Sequence, residues 1–135
     1  MNLQDFLTHA HSGWRYLIIT FLAILMARLL LKILIGGKWL IWDERLVRIT
    51  TIMLDVQVAM GIFLMGTFGG AGFKDHVKLE HAVTMIIAVT LAHVCKGRLK
   101  GMTEDKPKLI TAFGWFLGVT AFIAIGIVRI TSTKG

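Results

Sequence analysis

The sequence predicts an all-α integral membrane protein, a four-helix bundle whose neighbouring helices run antiparallel. Three observations predict it. Hydrophobic residues make up 56% of the 135-residue chain, against 17% charged residues and a single proline, Pro107, and the mean hydropathy is +0.72. A soluble domain carries more charge and more turn residues than this. The apolar residues fall into four long runs. Each run is near the ~20 residues that a helix rising ~1.5 Å per residue needs to cross a ~30 Å hydrocarbon core. The basic residues gather at the ends of those runs.

The first run extends from about Trp14 to Ile35 and ends at Gly36-Gly37-Lys38. Glycine there suits a helix C-terminus. The run is too long for a cleavable signal peptide, and Arg28 and Lys32 stand at its far end. The second run covers about Leu46 to Phe68 and ends in the glycine-rich stretch Gly69-Gly70-Ala71-Gly72. The third, about Val77 to Cys95, begins less apolar because Lys78, Glu80 and His81 lie there. The polar stretch from Thr103 to Pro107 leads into the fourth, about Leu109 to Ile130. The connections are short, so sequential helices become antiparallel neighbours within one domain spanning residues 1–135.

Lys and Arg set the expected orientation. Five lie between Arg28 and Arg48, five between Lys96 and Lys108, and the remaining five are spread over the N-terminal arm, the middle loop and the C-terminal tail. Positive residues favour the cytoplasmic side, so both termini are expected to face outward. Trp14 and Tyr16 then mark the outer interface, and Trp39 and Trp42 the inner one. The net charge of +7 is a topology signal rather than a nucleic-acid groove. The single cysteine, Cys95, excludes an internal disulfide, and no Cys-x-x-Cys-His offers covalent haem attachment.

Ionisable groups inside a spanning helix cost ~2.5–3.5 kcal/mol each on insertion scales and usually face the bundle interior. Placed by helix rise, they form two clusters. The outer one holds His11, Arg15, Glu80 and His81. His11 and His81 share a depth on two helices of one bundle, so they can ligate one haem iron axially. Arg15 then suits a propionate, and Glu80 suits a second acceptor that fixes a histidine tautomer. The plainer alternative leaves His11 among headgroups and pairs Glu80 with Arg15 or Lys78. The inner cluster holds Arg28, Asp55 and His93, with Gln57 nearby. Either Asp55 pairs with Arg28 and locks the register, or Asp55 and His93 exchange protons at a quinone site.

Two stacked haems are not expected. His81 and His93 are 12 residues apart, which rotates them ~120° around the helix. His9 and His76 lie in polar stretches and read as solvated. Met60, Met65 and Met85 are candidate weak axial ligands, although methionine usually fills packing gaps. Gly114 and Gly118 form a small-xxx-small pair, suited to close packing within the bundle or to docking on another subunit.

His11-Ser12-Gly13-Trp14-Arg15-Tyr16 resembles the opening of small four-helix bacterial membrane proteins labelled cytochrome b-like, or cytochrome b561-like. Leu54-Asp55-Val56-Gln57, Glu80-His81 and Leu91-Ala92-His93 stand where that family carries similar short motifs. The resemblance spans nearly the whole chain. It implies a b-type haem or a quinone-linked electron carrier in the bacterial inner membrane, with His11, His81 and His93 as the positions to test. The chain departs from the family near its end, where Gly126-Ile127-Val128-Arg129 replaces a Gly-x-Pro-Trp-like stretch. Two functions therefore stand at this level. One is a haem-binding membrane electron carrier serving a quinol or partner protein. The other is a non-catalytic accessory subunit of a larger respiratory or photosynthetic complex. Transport is weaker, because no inverted repeat or broken helix is visible.

Overall fold

The computed structural model describes residues 2–67 and 76–132. Four helices cover the described residues: α1 (Leu3–Ile35), α2 (Ile41–Thr67), α3 (His76–Leu99) and α4 (Asp105–Ser132). All four are long and apolar enough to cross a membrane. Between 22% and 28% of each spanning stretch is buried inside the bundle. The remaining surface is rich in outward-facing Leu, Ile and Val, as a bundle solvated by lipid requires. The four helices thus fit a multi-pass membrane bundle. The glycine-rich end expected after the second helix and the His76 side chain lie outside the described residues.

The helices overrun the apolar runs. Asn2 caps α1 by accepting from the Asp5 N–H at 2.8 Å, so helix starts eleven residues before Trp14. That extension makes His11 a residue of the helix proper. The other end of α1 closes on Gly36, whose φ of 72° is the left-handed conformation open to glycine. Gly37 N–H adds a 2.8 Å bond to the Lys32 carbonyl. α2 starts at Ile41 because the Asp43 carboxylate reaches back to the Leu40 N–H at 2.8 Å. In α4, Pro107 sits in the first turn, where a missing N–H is harmless. Thr20, Thr51, Thr84, Thr90 and Thr120 each donate to the carbonyl four residues earlier, which satisfies their hydroxyls in an apolar medium.

Each helix packs on its two sequence neighbours, and α4 closes the ring on α1, so α1 faces α3 across one diagonal and α2 faces α4 across the other. The two hairpins repeat one another. The buried residues of α1 are Ile18, Leu22, Leu25 and Leu29. Seventy positions later stand Ala88, Ala92, Cys95 and Leu99, all buried. Val47, Leu54 and Gly61 of α2 recur sixty-five positions later as Ala112, Val119 and Gly126. The substitutions are directional. Alanine and cysteine replace isoleucine and leucine on α3, so α4 approaches it closely and the wholly buried Phe116 fills the space. α3 and α4 accordingly make the most extensive contact in the bundle.

Candidate functional site: a histidine–glycine layer

The repeat brings four residues, one from each helix, to the same depth. The His11 ring lies on Gly61: a Cβ at Gly61 would sit 3.1 Å from His11 Cε1. The His81 ring lies on Gly126 in the same way, where a Cβ would sit 3.3 Å from Nδ1. Only glycine lets either ring approach the neighbouring helix so closely. The two imidazoles come from diagonally opposed helices.

Each ring has a distinct hydrogen-bond state. His81 Nδ1 lies 3.0 Å from the Gly126 carbonyl oxygen. A carbonyl only accepts, so Nδ1 carries the proton and a neutral ring keeps its lone pair on Nε2. That is the arrangement in which histidine ligates a metal through one nitrogen while a backbone acceptor orients it through the other. His11 Nδ1 is buried and has no hydrogen-bond partner. Beside it, Gln57 donates from Nε2 to the His11 backbone carbonyl at 2.9 Å, and its own Oε1 is buried without a partner. Below His81, Met85, Ala88 and Ala92 are buried on one face.

The surrounding charges pair differently from expectation. Glu80 bonds Arg129 at 2.8 Å rather than Arg15 or a histidine, the Lys78 side chain lies outside the described residues, and the Gly126 carbonyl takes the acceptor role expected of Glu80. Arg15 stacks on Tyr16, 5.2 Å from its ring centre, one helical turn along α1 from His11. His9 is exposed and bonds the Asp5 carbonyl within its own helix turn at 2.9 Å. Gln57 belongs to this histidine layer and not to the cluster of Arg28, Asp55 and His93.

The expected Arg28–Asp55 pair does not form. Arg28 Nε donates to Asp43 Oδ1 at 2.6 Å, and Lys32 Nζ donates to the other oxygen of the same carboxylate. The reason is register: Asp55 stands twelve residues beyond Asp43 on α2, ~18 Å further along the axis. Asp55 instead meets His93, whose Nε2 lies 2.8 and 3.0 Å from its two carboxylate oxygens. Both side chains are more than two-fifths exposed, so this pair faces outward between α2 and α3. Its repeat counterparts, Ala23 on α1 and Thr120 on α4, carry no charge. The polar pair therefore distinguishes one outer face of the bundle from its structural equivalent.

Sequence reasoning passed over Asp43, Gly61 and Gly126. Signals for them exist. Arg28 and Lys32 are one helical turn apart and together call for an acid. Ala-x-Gly-Ile occurs at Ala59–Ile62 and again at Ala124–Ile127. At the same basic end, Trp39 Nε1 donates to Glu44 at 2.8 Å, Lys108 stacks on the Trp39 ring, and the Trp39 N–H bonds Asp105 at 3.0 Å. These contacts tie α4 to the first hairpin.

The fold and site define a helical membrane bundle with a bis-histidine layer near one end. No family model matches the chain, and no curated protein and no solved structure matches it either.

Proposed function

We propose that this chain is a membrane electron carrier that holds one non-covalent b-type haem between His11 and His81. The observation that carries the reading is the layer itself, two imidazoles from diagonal helices, each backed by a glycine of the adjacent helix. Two imidazoles supply two ligands, so a metal between them takes its remaining ligands from a macrocycle. The residues fit that group. His81 presents Nε2, and the His11 ring has an unpartnered buried nitrogen among the described residues. Arg15, one helical turn from His11, suits a propionate. Bound there, such a haem supplies one-electron redox chemistry.

The exchange partner is a quinol or a partner protein, and the outward-facing Asp55–His93 pair is the place to receive it. A quinol gives up protons with its electrons, and a carboxylate–imidazole pair at the lipid-facing surface can accept one. Arg28 is committed to Asp43 and Gln57 to the histidine layer, so Asp55 and His93 remain as the proton or quinone site. The Lys and Arg distribution supports an orientation with the basic end toward the cytoplasm and both termini outside, in our reading within a bacterial inner membrane. The same half-exposed pair also favours a second reading, an accessory subunit whose partner chain covers it.

A reduced-minus-oxidised spectrum of protein purified in mild detergent tests the proposal. Sharp bis-histidine bands are expected in the wild type. His11→Ala and His81→Ala should each abolish them with insertion intact, and His9→Ala should leave them unchanged. A wild-type protein that stays colourless after haem supplementation overturns the carrier reading in favour of the accessory subunit.

A further inference from the structure

The internal repeat exposes a charge imbalance at the basic end of the bundle. In the first hairpin, Arg28 shares the wholly buried Asp43 carboxylate with Lys32. The counterpart of Arg28 is Arg98, seventy positions on, and the counterpart of Asp43 is Lys108, sixty-five positions on. The second hairpin thus keeps the arginine and replaces its acid with another cation. Lys108 turns to Glu44, at 3.5 Å, on the first hairpin. Arg98 makes no ion pair among the described residues. It stacks on the Trp115 ring with its guanidinium carbon 5.3 Å from the centre.

Arg98 and Trp115 form one end of a groove between α3 and α4 on the outer surface of the bundle, lined further by Thr111, Gly114, Gly118 and Leu91. Gly114 is exposed in it, and a Cβ there would meet nothing within 4 Å. The groove rises from Thr111 to Gly118, ~10 Å along the helix axis into the apolar zone. Arg98 and the Thr111 hydroxyl supply the polar part of the groove, and Leu91, Gly114 and Gly118 the apolar part.

We propose that this groove binds one anionic phospholipid from the leaflet at the basic end. The headgroup phosphate lies on Arg98, held in place by Trp115, and one acyl chain runs over Gly114 and Gly118. Charge complementarity selects the occupant. The nearby cations Lys96 and Lys100 share the sign of Arg98, and Arg98 pairs with neither Glu104 nor Asp105 of the α3–α4 connection among the described residues. A zwitterionic lipid leaves the excess positive charge uncompensated, whereas an anionic one neutralises it.

Native mass spectrometry of the full chain in detergent, titrated with phosphatidylglycerol or phosphatidylcholine, tests this. One phosphatidylglycerol per chain should be retained in preference to phosphatidylcholine. Retention should weaken about fivefold in Arg98→Gln and comparably in Gly114→Leu, which fills an exposed part of the groove without touching the core. Lys38→Gln, on the other hairpin, should change it little, and excess inorganic phosphate should not displace the lipid. Far-UV circular dichroism checks that each variant keeps its helices. Equal retention of the two lipids overturns the proposal, as does undiminished retention in both groove variants or displacement by free phosphate. A lipid-free dimer that Gly114→Leu disperses also overturns it, by assigning the groove to a second copy of the chain.

Discussion

Asp43→Asn should be the most damaging polar substitution at the basic end. The Asp43 side chain is wholly buried and accepts from Arg28 Nε, Lys32 Nζ and the Leu40 N–H. Hydrogen bonds to charged groups contribute about 1.5–3 kcal/mol each. Arg28 is one-third exposed and Lys32 about one-eighth, so screening lowers the Arg28 share more than the Lys32 share. Removing one partner of a buried pair typically costs about 3–5 kcal/mol, and Asp43→Asn should fall in that range. Arg28→Gln should cost about 1–2 kcal/mol, because Lys32 still holds the carboxylate. The measurement is reversible unfolding in mixed detergent–SDS micelles, followed by tryptophan fluorescence and helicity for both single variants and the double variant. A coupling of about 1–2 kcal/mol between the sites is expected. Additive losses, or a loss below about 1 kcal/mol in Asp43→Asn, would refute the assignment of this carboxylate as the lock of the first hairpin.

Glycine substitutions separate the histidine layer from ordinary helix positions. Gly97→Ala, with nothing within 4 Å of the new Cβ, should stabilise the bundle by up to about 1 kcal/mol through helix propensity. Gly61→Ala forces the His11 ring to move and should lose about 1 kcal/mol net as overpacking outweighs that gain, with weaker haem loading in the same preparation; a Gly61→Ala protein as stable as Gly97→Ala would show that the ring does not rest there. The double variant Asp55→Asn, His93→Gln should be neutral or about 1 kcal/mol more stable in unfolding, since it removes a polar pair from a lipid-facing surface. Its rate of reduction by a quinol should nonetheless fall, and an unchanged rate would remove the pair from the electron-transfer reading. In a Cys95→Ser background, a cysteine at Gln4 should react with an impermeant thiol reagent added outside cells and one at Glu104 should not; the reverse pattern inverts the orientation.

The chain by itself determined the helix count and the membrane-spanning character. Both follow from the length and apolarity of local segments, which need no knowledge of packing. It also indicated that His11 and His81 share a depth, because helix rise and antiparallel order are local rules. Tertiary structure decided what lies opposite each side chain. Arg28 meets Asp43 rather than Asp55 because the register of α2 against α1 depends on the turn at Gly36, Gly37 and the Asp43 back-bond, not on the composition of either helix. Glu80 meets Arg129 through the packing of α3 on α4, a pairing set by distant segments. Gly61 and Gly126 looked like ordinary membrane-helix glycines in one dimension. Their meaning emerged only when each was found beneath an imidazole, since the space left by an absent Cβ is defined by the neighbouring helix that fills it.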